Sequence, residues 1–163
     1  MEYLHAYWRM EYVEAPKAPK ASLFSDLPKT TDDKAVYIVW RGPLTYLVMN
    51  VFPYNVGHLL AVPYRQVDDP TALTEDEQIA LFKTVLFAQK LLKQVLNPSG
   101  FNIGMNLGKA GGAGIPEHIH MHIVPRWLGD TNFMPVLGQT RVLSKHLDSL
   151  WQGLREAVAS IEF

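Results

Sequence analysis

The chain contains no cysteine. That excludes disulfide bonds and any zinc site built on thiolates, and it fits a cytoplasmic location. Long hydrophobic runs are lacking too. None reaches the ~18 residues of a membrane span, and Met1-Glu2-Tyr3-Leu4-His5 has neither the basic nor the apolar part of a secretory leader. No membrane partner is expected. Nor is there an excess of charge of one sign: 15 Lys and Arg stand against 16 Asp and Glu, a formal net charge of -1. A general nucleic-acid surface needs an excess of cations, so no nucleic-acid partner is expected. Internal repeats are absent, and the one biased stretch is a short Lys/Ala/Pro run before residue 21.

What is present is enough for one core. With 163 residues, 48% of them hydrophobic, the chain reads as a single domain over 1–163. Residues 1–20 form an extension and about 21–163 the core. The extension carries Tyr3, Tyr7, Trp8, Arg9 and Tyr12 before Pro16 and Pro19. These aromatics tether the terminus or cover a ligand.

Three of the six histidines fall within five residues, in His118-Ile119-His120-Met121-His122-Ile123-Val124. The β-branched and alternating pattern predicts a strand. His118, His120 and His122 then share one face, each ~7 Å from the next, and Ile119, Met121 and Ile123 point into a core. Three chemistries fit such a row. It is a solvated strand face, a metal site of imidazoles, or a nucleophilic imidazole flanked by two that orient it and its target.

The remaining elements frame that row. Residues 36–41 and 45–49 read as a hairpin broken at Gly42-Pro43, and His58 to Val62 as a third strand ended by Pro63. Thr74 and Glu77 have capping-box spacing ahead of a helix to about Leu96. Its apolar side is read as Ile79, Phe82, Val85, Leu86, Leu92 and Val95. Residues 101–106 make a fourth strand, the triad a fifth, and residues 144–161 a C-terminal helix. Strands in runs with one long helix between them give an α+β fold on a five-stranded antiparallel sheet. Between the last two strands lies a loop with Gly108, Gly111, Gly112 and Gly114, suited to turning backbone N–H groups toward an anion.

His-x-His-x-His-x-x with apolar residues at each x resembles the signature of the histidine-triad (HIT) superfamily of nucleotide hydrolases and transferases. The stretch Asn50 to Pro63, with Gly57-His58 followed by an apolar strand, resembles that family's upstream strand–turn–strand. Gly111 to Glu117, Pro125-Arg126-Trp127 and Gly129 to Met134 are most similar to a bacterial branch of diadenosine-polyphosphate hydrolases, phosphorylases and adenylyltransferases. The resemblance runs from about Trp8 to about residue 150.

The resemblance implies a HIT-like fold, a homodimer and a small nucleotide substrate. It makes His120 the nucleophile on the α-phosphorus of a dinucleoside polyphosphate such as diadenosine tetraphosphate, through a covalent nucleotidyl-histidine. His122 then bonds phosphate oxygens, His118 orients the site through its backbone carbonyl, and His58 completes the set. Asn50, eight residues before His58, takes the ribose hydroxyls. Gly112, Ala113 and Gly114 offer backbone N–H groups to phosphate. Asn106, Arg126 and Trp127 are the further substrate contacts. No cofactor and no resident metal are required, and a divalent cation accompanies the substrate phosphates at most. The chain departs from its relatives in having no Gln or Ser in the loop before the triad, and that loop differs in length by one residue. The acceptor of the nucleotidyl group, water by default or phosphate, is thereby left open. A phosphorolytic adenylyltransferase, a nucleoside phosphoramidase, a nucleotide-binding sensor without catalysis and a zinc protein are the competing readings.

Overall fold

Burial on both faces organises the sheet. The computed structural model describes residues 23–130 and 146–163. Its strands are β1 (Ile38–Arg41), β2 (Thr45–Met49), β3 (Leu59–Pro63), β4 (Gly100–Met105) and β5 (Met121–Arg126). All neighbouring pairs are antiparallel, in the order β1-β2-β3-β5-β4. The helices are α1 (Leu23–Asp26), α2 (Glu75–Leu96) and α3 (Leu147–Val158). This is the expected α+β architecture with its long helix and C-terminal helix. The aromatic extension at residues 3–12 and the stretch 131–134 lie outside the described residues.

One sheet face packs Leu47, Leu59, Ala61, Ile119 and Ile123 against Val85, Leu91 and Leu92 of α2 and Leu150 and Leu154 of α3. The other face packs Tyr46, Val48, Leu60 and Val62 against Phe24 and Ile115. Every residue of β2 and β3 is therefore buried, as in sheets covered on both sides. The Tyr46 hydroxyl donates to the Phe24 carbonyl at 2.7 Å and ties α1 to the second face.

α2 begins with the expected capping box. The Glu77 N–H donates to the Thr74 hydroxyl, and the Thr74 N–H donates back to the Glu77 carboxylate. Arg65 grips the same carboxylate with two nitrogens. The buried side of the helix differs from the expected one. Leu81, Thr84, Val85, Ala88, Leu91 and Leu92 face the sheet, whereas Ile79, Phe82 and Leu86 are 47%, 60% and 43% exposed. Apolar residues lie on most sides of this helix, so periodicity alone does not choose the core face. Thr84 belongs to that face because its hydroxyl pairs with that of Thr45 at 2.7 Å.

Three boundaries also shift. Tyr37 adopts φ 56, in the left-handed region, so β1 starts at Ile38, two residues later than expected. Pro63 lies inside β3, paired with Thr45, because only its carbonyl is needed there. Ladder pairing of β5 starts at Met121, three residues after His118. β1 is an edge strand, and α3 covers it: Trp151 Nε1 donates to the Ile38 carbonyl and Arg155 to that of Val39, one way of blunting an edge. Gly57 sits at φ +79 beneath the end of α2, where a Cβ would lie 2.5 Å from Leu96 Cδ1 and 3.1 Å from Pro125 Cγ. Only glycine fits that joint.

Candidate active site

The chain entering β5 is extended, so side chains alternate before the ladder begins. Ile119 and Ile123 enter the helix-side core. His118, His120 and His122 take the opposite face, all buried. His58, just ahead of β3, joins them across the β3–β5 pairing. The ring centroids of His120 and His122 are 4.8 Å apart, and those of His122 and His58 5.1 Å. Phe24 packs on His120 at 4.8 Å. Tyr54 packs on His58 at 4.6 Å and lies nearly parallel to His122 at 5.6 Å.

Backbone partners assign the ring hydrogens. His118 donates from Nε2 to the Pro63 carbonyl at 2.8 Å, which leaves Nδ1 facing the Ser25 hydroxyl at 3.4 Å. His120 donates from Nδ1 to the His118 carbonyl at 2.9 Å, so its Nε2 carries a lone pair. His58 accepts at Nδ1 from the Tyr54 N–H at 3.1 Å, so its hydrogen sits on Nε2 and is donated to His122 Nδ1 at 2.9 Å. His122 in turn carries its hydrogen on Nε2. The row thus presents one nucleophilic nitrogen, on His120, beside one N–H donor, on His122.

Burial favours the neutral form of three of the rings. Burial, then the neighbouring His122 and His120, push His58 down to about 3. Burial also lowers His118 and His120, against the hydrogen bonds to the carbonyls of Pro63 and His118 that favour their charged forms. A neutral imidazole is the form of histidine able to act as a nucleophile.

The histidines open into a cavity of about 920 Å³, within the range of small-molecule sites. His120, His122, Asn50, Asn106, Gly112, Gly114 and Arg126 line it. Ala113 and Trp127 are not among its described lining residues. Asn50 also braces the turn, accepting from the Phe52 N–H and standing 3.3 Å from His58 Nδ1. In the glycine loop, the N–H groups of Gly112 and Ala113 donate to the carbonyls of Lys109 and Gly108. The first half of that loop thus uses donors in its own turn, and the anion cradle is narrower than four glycines suggest. Arg126 holds Asp130 with two nitrogens at 2.6 and 2.7 Å and gives a third bond to Asn102. Its charge is matched within the protein by Asp130. The same Asp130 accepts from the Trp127 N–H at 3.1 Å.

Sequence reasoning missed Phe24, Ser25 and Asp130. The only available signal was the i, i+4 spacing of Arg126 and Asp130, since α1 is too short to announce itself. Among the described residues no group of three or more His, Asp or Glu side chains is placed to hold a metal ion.

Comparison with known proteins decides the family. The HIT domain matches residues 31–127, more than half of the chain.

The chain belongs to the HIT domain family.

It is 40% identical over 148 residues to a Mycobacterium tuberculosis protein named AP-4-A phosphorylase, covering 86% of this chain and 75% of that one. It is 33% identical over 112 residues to the asymmetrical bis(5'-nucleosyl)-tetraphosphatase of Schizosaccharomyces pombe, covering 69% of this chain and 58% of that one. Among solved structures, a hypothetical histidine triad nucleotide-binding protein of Sulfolobus tokodaii superposes with a TM-score of 0.69 at 21% identity, over 85% of this chain and 92% of that one. That likeness concerns the fold. In this HIT protein no described helix is long and apolar enough to cross a membrane.

Proposed function

We propose that the protein is an enzyme that cleaves dinucleoside polyphosphates at the α-phosphorus through a nucleotidyl-His120 intermediate. The observation that carries this reading is the lone pair held on His120 Nε2 by the His118 carbonyl. Nε2 attacks the α-phosphorus, an N–P bond forms, and the P–O bond to the rest of the polyphosphate breaks, the electron pair leaving with that oxygen. A polyphosphate is a good leaving group. The remaining task is positioning and spreading charge over the phosphate oxygens, which a preorganised donor such as His122 Nε2–H performs.

An acceptor oxygen then attacks the same phosphorus and releases His120. Inorganic phosphate is the favoured acceptor, in place of the water expected by default. The glycine loop has no Gln or Ser side chain to hold a water, and the mycobacterial relative at 40% identity is named a phosphorylase. With phosphate, diadenosine tetraphosphate gives ATP and ADP; with water it gives ATP and AMP. Product analysis with and without phosphate tests both steps. ADP appearing only with phosphate supports phosphorolysis, AMP supports hydrolysis, and no cleavage by either route overturns the reading.

The working form is proposed to be a homodimer. Among the described residues β4 is an edge strand of the sheet. The exposed Phe82 of α2 shares a shallow apolar depression with Leu73, Leu81 and Met121, and Met121 pairs with Met105 at the end of β4. An exposed apolar stripe beside an unpaired strand edge is best satisfied by a second copy.

A further inference from the structure

The cavity continues past the histidines. Along β5, Val124 and Arg126 share the face of His122, and Arg126 lies ~20 Å of extended chain from His120. Both line the same cavity, together with Asn55, Asn102 and Asp130. The polar four are bonded to one another. Asn55 Nδ2 donates to Asp130 at 2.8 Å and to the Pro125 carbonyl at 3.2 Å. Arg126 donates to both oxygens of Asp130 and to Asn102 Oδ1 at 2.6 Å. The opposite end is apolar, built by Leu27, Val36, Val48 and Leu60 beside Phe24, which packs on His120.

Charge matching decides what the polar end holds. An unpaired arginine would take a phosphate. Here a carboxylate already occupies the Nε–Nη2 edge of the guanidinium, and an incoming phosphate would meet it at close range. What the cluster offers instead is a guanidinium plane fixed on three sides, suited to stacking on a base. Beside that plane, the amide nitrogen of the exposed Asn102 suits hydroxyls and base acceptors, with Asn55 and Asp130 holding the plane in place. One nucleoside fills only part of such a cavity, and a lining that holds both an apolar pocket and a polar cluster beside the histidines fits two.

We propose that Asn55, Asn102, Arg126 and Asp130 form a subsite for the second nucleoside of a dinucleoside polyphosphate, with its base laid on the Arg126 guanidinium. This rests on the function proposed above and makes the leaving half of the substrate a recognised group. The chain then distinguishes a dinucleotide from a mononucleoside polyphosphate carrying the same phosphate chain.

Two non-cleavable probes test it on the full chain by calorimetric titration: methylene-bridged diadenosine tetraphosphate, and methylene-bridged adenosine tetraphosphate, which lacks the second adenosine. The dinucleotide should bind about 10-fold tighter, the worth of one stacked base. Asn102→Ala, at an exposed position of β4, should bring the two affinities together without changing that of the mononucleoside probe. Equal binding of both probes by the unaltered protein overturns the subsite and leaves the proposed function standing. Persistence of the difference in both Asn102→Ala and Arg126→Lys, which keeps the charge and loses the plane, also overturns it. Failure of both probes to bind overturns the proposed function along with the subsite.

Discussion

The carbonyl of His118 accepts from His120 Nδ1 at 2.9 Å, and this contact selects which ring nitrogen of His120 carries the lone pair. The selecting group is backbone, so it survives replacement of the His118 side chain. His118→Ala should therefore lower dinucleotide turnover by only ~10-fold, through lost packing on Phe24 and the lost bond to Pro63. His120→Ala should lower it by ~10³-fold or more, as for loss of a nucleophile. Steady-state turnover of diadenosine tetraphosphate by both variants checks the contrast, and equal losses would contradict the assignment.

His58 acts one ring further back. Its Nε2–H fixes His122 in the tautomer that donates from Nε2. His58→Phe keeps an aromatic ring against Tyr54 but removes that donor. The expected outcome is a fall in kcat of ~10²-fold with KM nearly unchanged, since the lost interaction serves the transition state. A rise in KM at constant kcat would instead make His58 a binding residue.

The lowered histidine pKa values make stability depend on pH. In the folded state His58 titrates near 3 instead of 6.5, and His118 and His120 are shifted the same way. Below pH 6.5 the unfolded chain binds more protons than the folded one, so stability is present above that pH and is lost as pH falls toward the folded values. Between pH 6.5 and 5, His58 alone should account for about 2 kcal/mol. Thermal unfolding from pH 7.5 to 5 should show a falling Tm, and the His58→Phe variant a shallower fall.

Phe82 is 60% exposed and apolar. Phe82→Glu places a charge in the proposed dimer contact without touching the core face of α2. It should convert the dimer to a monomer in light scattering at micromolar concentration, with helical content retained. A monomeric unaltered protein at that concentration would remove the dimer proposal.

Local signals were legible where local physics decides. The Thr74–Glu77 box fixed the start of α2, and the alternation around His120 set which residues face the site before any ladder hydrogen bond forms. Other features depend on partners distant in sequence. The core face of α2 is chosen by Thr45 and the sheet, not by periodicity. Tyr37 turns left-handed where its hydroxyl reaches Asp148, 111 residues away. The pairing of Arg126 with Asp130 was hard to read because Asp130 lies in a loop outside any strand or helix.

The joint under Gly57 separates two meanings within one dipeptide. A side chain there would collide with Leu96 and Pro125, far from any reacting atom, whereas His58 touches His122. Glycine at this place reports that the end of α2 is docked, and histidine reports that His122 is held by a donor at Nδ1. A sequence that keeps the first and changes the second would retain the scaffold while losing that hydrogen bond. When genomes are screened for active enzymes of this kind, the two positions should be scored separately.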